Sequence, residues 1–84
     1  MKISLGCDHA AYKEKELLSD YITNTLGYQI IDYGTYSDKS VDYPEFGQKV
    51  ANSIKTKKAD FGIVLCGSGI GISIAANKVR GIRA

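Results

Sequence analysis

The chain has 84 residues, and its 11 lysines and arginines against 9 aspartates and glutamates leave a net charge of only +2. That falls short of the basic footprint of a protein that follows a nucleic-acid backbone. No run of about 18 apolar residues offers a membrane span, no apolar segment follows a basic start as in a signal peptide, and Cys7 and Cys66 make neither a CxxC pair nor a disulfide framework. The expectation is one small cytoplasmic domain with reduced thiols and no membrane or nucleic-acid partner.

Residues 2–7 alternate and then meet Asp8 and His9, which predicts a short strand ending in a polar loop. From about Ala10 the spacing turns helical, with Leu17, Leu18, Tyr21, Ile22, Thr25 and Leu26 in one apolar stripe and Gly27 placed to end the helix. Residues 28–33 predict a second strand, followed by a polar loop from Gly34. A second helix opens at Asp42, Tyr43 and Pro44, where a proline costs little, and buries Tyr43, Gly47, Val50 and Ile54. Residues 59–65 predict a third strand, apolar enough over 61–65 to be buried on both faces. A glycine-rich turn and a short apolar helix through Ile72, Ile74, Ala75 and Ala76 come next, and residues 81–84 read as the start of a fourth strand, at which the chain stops.

The alternation of strands and helices predicts a single Rossmann-like α/β domain over residues 1–84, a three-layer α/β/α arrangement on a parallel sheet, incomplete at its fourth strand. Right-handed crossovers would put the second strand on one side of the first and the third on the other, which creates a topological switch point where ligands bind. The Cys7–Asp8–His9 loop and the loop from Cys66 to Gly71 would then meet.

Glycines at alternate positions, Gly67, Gly69 and Gly71, let the backbone aim several N–H groups at one spot near a helix N-terminus. Such a nest binds anions; tight packing alone is the other reading. The spacing is neither a dinucleotide fingerprint nor a Walker loop. Cys66 at its mouth is either a thiolate stabilised by those N–H groups or a strand-end cysteine acting as a small hydrophobe. Asp8 and His9 could place a carboxylate and the only imidazole in the same pocket, or serve as a helix cap and a surface residue. A single histidine and two distant cysteines do not make a metal site. The six tyrosines suit core and rim packing better than base stacking, and only Tyr43, beside the polar loop, could instead face the pocket.

The segments Gly6-Cys7-Asp8-His9-Ala10, Asp32-Tyr33-Gly34-Thr35, Asp42-Tyr43-Pro44 and Cys66-Gly67-Ser68-Gly69-Ile70-Gly71-Ile72-Ser73-Ile74-Ala75-Ala76-Asn77-Lys78, together with Gly81-Ile82-Arg83-Ala84, closely resemble ribose-5-phosphate isomerase B over the whole chain. Galactose-6-phosphate isomerase subunits share much of the pattern. The resemblance implies a cofactor-free aldose–ketose isomerase of the pentose phosphate pathway, working as a homodimer on a phosphorylated sugar. It implies that Cys66 moves a proton between C1 and C2 through an enediolate, with Asp8 as a further catalytic residue. Asp8, His9 and Tyr43, with the turn Gly67, Ser68, Gly69, Ile70 and Gly71, would hold the substrate. Ser68 stands where threonine is common in that family. Family members continue past the position of Ala84 and draw a histidine, an asparagine and arginines from there, so the 84 residues alone are expected to lack full activity. A non-catalytic phosphate-binding module is the rival reading.

Overall fold

The structure, a computed structural model, describes residues 1–35 and 43–84, the side chains of 43 and 44 excepted. Strands β1 (Lys2–Cys7), β2 (Gln29–Asp32) and β3 (Phe61–Leu65) form one parallel sheet in the order β2-β1-β3. Ile3 pairs with Ile30 on one side and Phe61 on the other, and Cys7 pairs with Leu65. Helix α1 (Tyr12–Tyr21) covers one face, while α2 (Tyr43–Lys55) covers the other and carries α3 (Ile70–Asn77) against it. This is the three-layer α/β/α arrangement and the strand order that the sequence predicts. Among the described residues no helix is long and apolar enough to cross a membrane.

The α2 face is close-packed because glycines line it. A Cβ on Gly6 would stand 2.7 Å from Val50 Cγ2 and 3.1 Å from the Phe46 carbonyl oxygen, and one on Gly62 would stand 2.7 Å from Val50 Cγ1. Val50 therefore seats directly on the sheet backbone, buried to 3% exposure. A hydroxyl pair, Ser4 Oγ and Ser53 Oγ at 2.8 Å, ties β1 to the same helix without leaving a buried polar atom unpaired.

The α1 face is organised around a charge. Lys15 is wholly buried, and its Nζ is hydrogen-bonded to Asp32 Oδ2 at the end of β2 and to Glu16 Oε1 at 2.8 Å. Burial alone would lower the lysine pKa, but hydrogen bonds from the ammonium to Asp32 and Glu16 outweigh it and hold the group above its ordinary range. The inward stripe of this segment is consequently Ala11, Lys15, Leu18 and Ile22. Of the apolar stripe expected from the sequence, Leu17, Tyr21 and Leu26 are exposed and only Ile22 is fully buried. The segment is also less regular than one helix: a 3₁₀ turn at His9–Ala11 precedes α1, and a π-helical turn at Ile22–Leu26 follows it. Gly27, at φ 74°, ends it as expected, in the left-handed region that glycine adopts without a Cβ clash.

Two further expectations are corrected. β3 is not buried on both faces: Gly62 packs against α2, while Phe61, which alternation turns to the other face, is 60% exposed. Residues 81–84 form no strand. Gly81, at φ 90°, turns the chain, and the Asn77 side chain then supplies the donor and acceptor that a strand neighbour would offer. Its Oδ1 accepts from the Ala84 N–H at 2.9 Å, and its Nδ2 donates to the Ala84 carbonyl at 3.3 Å. Beside the β3 edge lies an apolar groove of about 290 Å³ lined by Val50, Ile54, Phe61, Val64, Ala76 and Ile82.

Gly6→Ala is expected to destabilise the fold by about 1–3 kcal/mol through overpacking against Val50 and the unyielding Phe46 carbonyl, read from the urea midpoint. Asp32→Asn takes one carboxylate away from the buried Lys15 ammonium and is expected to cost about 3 kcal/mol near neutral pH. Because the lysine pKa is raised in the folded state, the pair's contribution is complete below about pH 10.4 and is lost as pH rises through the higher folded value. On the alkaline side the gap between parent and variant should therefore narrow as the pH rises through that folded value. A gap that widens there would contradict the assignment.

Candidate active site

At the C-terminal ends of β1 and β3 the chain leaves the sheet at neighbouring points. Cys7 pairs with Leu65, so the next residues outward are Asp8 and Cys66, and the Asp8 N–H donates to the Leu65 carbonyl at 3.1 Å. The two loops also lie close together, since a Cβ added to Gly67 would stand 3.7 Å from Ala10 Cβ. The convergence expected at the switch point is present.

The Cys66 thiol faces the turn that follows it. Its Sγ accepts from the Gly69 N–H at 2.9 Å, and the residue is half-buried at the strand end. Burial by itself would raise the thiol pKa. The N–H groups of Ile72, Ser68 and Gly69, with the Ser68 hydroxyl, outweigh burial and pull it below the ordinary thiol range. The local backbone makes this possible: Gly69 sits at φ 78°, ψ −13°, immediately before α3, and the Ser68 Oγ accepts from the Ile70 N–H at 3.3 Å. The glycine-rich turn is thus wrapped around a sulfur rather than an empty anion hole.

Cys7 shows what the same side chain does elsewhere. It is fully buried on the α1 side of the sheet, and burial pushes its pKa up against the opposing hydrogen bond from Thr35 and the nearby Lys15 charge. One thiol is poised to ionise and the other is held neutral.

Asp8 fulfils the capping role that is its simplest reading, its Oδ1 accepting from the Ala11 N–H at 3.1 Å. A carboxylate has a second oxygen, and the cap uses only Oδ1. His9 is half-buried in the 3₁₀ turn next to it. Gly71 is half-buried in the first turn of α3, and Ile70, which opens that helix, has a side chain 65% exposed. Tyr43 begins α2, but its side chain lies outside the described residues. The structure therefore gathers Asp8, His9 and the turn from Cys66 to Gly71 at one end of the sheet. Among the described residues no group of three or more His, Cys, Asp and Glu is placed to hold a metal. The apolar groove beside β3 contains none of these site residues.

The sequence reading missed the support behind Asp8. Asp32 Oδ1 accepts from the Gly34 N–H at 2.8 Å, the Gly34 carbonyl accepts from Cys7 N–H at 2.7 Å, and the Thr35 N–H donates to the Cys7 carbonyl at 3.1 Å. A lysine at a core position of the Ala11–Lys15–Leu18–Ile22 stripe, with an aspartate closing an apolar strand, is the signal that could have found it.

Gly69→Ala tests the turn directly. A side chain in the left-handed region costs about 1–2 kcal/mol, and relieving it moves the Gly69 N–H away from sulfur. The rate of Cys66 alkylation by iodoacetamide should reach half its maximum below the roughly pH 8.5 of an ordinary thiol in the parent and at higher pH in the variant. Identical profiles would contradict the geometry.

Residues 3–84 match the Ribose/Galactose Isomerase family. The chain is 46% identical over 84 residues to galactose-6-phosphate isomerase subunit LacB of Clostridium acetobutylicum, covering 100% of this chain and 48% of that protein. It is 43% identical over 83 residues to ribose-5-phosphate isomerase B of Escherichia coli, covering 99% and 55%. The solved structure of Clostridium thermocellum ribose-5-phosphate isomerase B superposes with a TM-score of 0.96 at 54% identity, covering 99% of this chain and 55% of that one. That of the Mycoplasma genitalium enzyme with bound ribulose-5-phosphate gives 0.85 at 35% identity, covering 96% and 54%. The chain spans about half the length of the curated relatives it matches. With a match from residue 3 to residue 84 and the same fold around the Cys66 turn, this chain belongs to the Ribose/Galactose Isomerase family.

Proposed function

We propose that this chain provides the thiol half of an aldose–ketose isomerase that interconverts ribose 5-phosphate and ribulose 5-phosphate, a reaction of the pentose phosphate pathway. The observation that carries the proposal is the Cys66 sulfur held by backbone N–H groups beside Asp8. In the opened aldose, the thiolate takes the proton from C2. The C2–H electron pair forms the C1–C2 double bond, and the charge moves onto the C1 oxygen as an enediolate. The new thiol then returns its proton to C1, the C2 hydroxyl gives up its proton to become the ketone, and the C1 oxygen gains one. No cofactor is required, because no net electrons enter or leave.

The N–H cradle suits both stages. It stabilises negative charge on sulfur before the transfer and on the neighbouring enediolate oxygen after it, and such prearranged donors act most strongly where water is excluded. A base whose pKa is brought toward neutrality also transfers protons most effectively. Asp8, through the oxygen not used in capping, and His9 are proposed to hold sugar hydroxyls or phosphate, and Tyr43 to line the pocket. The working form is proposed to be a cytoplasmic homodimer in which the remainder of the site comes from elements outside these 84 residues.

The 46% identity to a galactose-6-phosphate isomerase subunit supports a second substrate reading with the same chemistry. Isothermal titration with ribose 5-phosphate and galactose 6-phosphate separates the two: the proposal expects the pentose phosphate to bind more tightly, and tighter hexose binding would replace it. For the chemistry, Cys66→Ala in the intact protein is expected to lower turnover by about 10²–10⁴-fold with ligand affinity near that of the parent. Undiminished turnover would remove Cys66 as the base.

A further inference from the structure

From the Lys15–Asp32 pair a chain of hydrogen bonds runs toward Asp8. Lys15 Nζ holds Oδ2 of Asp32, and Oδ1 of the same carboxylate accepts the Gly34 N–H. Gly34 and Thr35 then clamp both backbone groups of Cys7, the residue immediately before Asp8. On its other side Cys7 is in register with Leu65, and the Asp8 N–H reaches the Leu65 carbonyl. The Asp8 carboxylate in turn fixes the His9–Ala11 turn through the Ala11 N–H. By contrast, among the described residues the N–H groups that hold the Cys66 sulfur come from its own loop and the start of α3.

We infer that Asp32, anchored by Lys15, is a positioning residue for the Asp8–His9 side of the site, and that the Cys66 side is set independently of it. A buried ion pair is a weak source of net stability, so the value of this one lies in directing Oδ1 at the Gly34 peptide. The inference rests on reading Asp8 and Cys66 as one site. It goes further in dividing that site into two separately built halves.

Paired replacements separate positioning from stability, since exchanging both members of a buried pair for uncharged groups of similar volume leaves folding nearly unchanged. Lys15→Met/Asp32→Asn retains an oxygen for the Gly34 N–H, whereas Lys15→Met/Asp32→Leu removes it. Both are made in the intact protein. In the leucine variant, amide hydrogen exchange at Cys7, Thr35 and Ala11 should accelerate at least about tenfold, and ribose 5-phosphate affinity should fall by roughly tenfold or more. The Gly69 amide and the pH profile of Cys66 alkylation should stay as in the parent, and the asparagine variant, which keeps an acceptor for the Gly34 N–H without the Lys15 anchor, should fall between the parent and the leucine variant. Lys15→Met/Asp32→Ala carries the leucine variant's expectation, so the outcome does not hinge on one variant folding. Unchanged protection at Cys7, Thr35 and Ala11 would overturn the inference, as would equal loosening of both loops. If the parent itself binds no ribose 5-phosphate, the isomerase reading fails, while the amide exchange pattern still decides the positioning role.

Discussion

The first strand lies in the middle of the sheet with a parallel partner on each edge, and the site depends on that placement. Because Cys7 is held by Gly34 and Thr35 on one side and paired with Leu65 on the other, the loop that begins at Asp8 can leave the sheet in only one direction, beside Cys66. A strand at the edge would fix only one of these contacts. The crossovers to β2 and β3 pass over opposite faces, so α1 and α2 diverge at this end of the sheet and leave the two loops between them. The glycines beneath Val50 let α2 sit close enough to close off the far face.

The two cysteines show how local surroundings decide chemistry that residue type leaves open. Both sit at C-terminal strand ends. Cys7 points into the α1 layer, where burial suppresses ionisation, and Cys66 points into a turn whose N–H groups favour it. The deciding element is a few residues of backbone, with a glycine in the left-handed region just ahead of α3. The lysine of the neighbouring layer has the opposite status: it is a charge buried outright and tolerated because two carboxylates meet it.

Much of this could be read in the sequence, and the parts that could not have definite physical causes. The strands and their order followed from short apolar runs separated by helical spacing, and Gly27 and the alternating glycines after Cys66 marked positions where backbone conformation restricts the choice of residue. The inward face of α1 was misread because an apolar count discards Lys15, which is buried only by virtue of Asp32, a partner from another element. Residues 81–84 look strand-like in composition, but a strand exists through its neighbour, and here Asn77 occupies that role. The direction of the Cys66 side chain was also beyond the sequence, since a half-buried strand-end thiol can turn either way until the following turn supplies donors.

Everything comes down to whether the Cys66 thiolate carries a proton between C2 and C1 of the sugar, where part of it can exchange with solvent while on sulfur. Incubating ribose 5-phosphate with the intact protein in D₂O and following C2 of the aldose and C1 of the ketose by NMR measures this. The account predicts deuterium at those positions with the parent and none with Cys66→Ser. Isomerisation, or deuterium uptake, undiminished in the serine variant would contradict it.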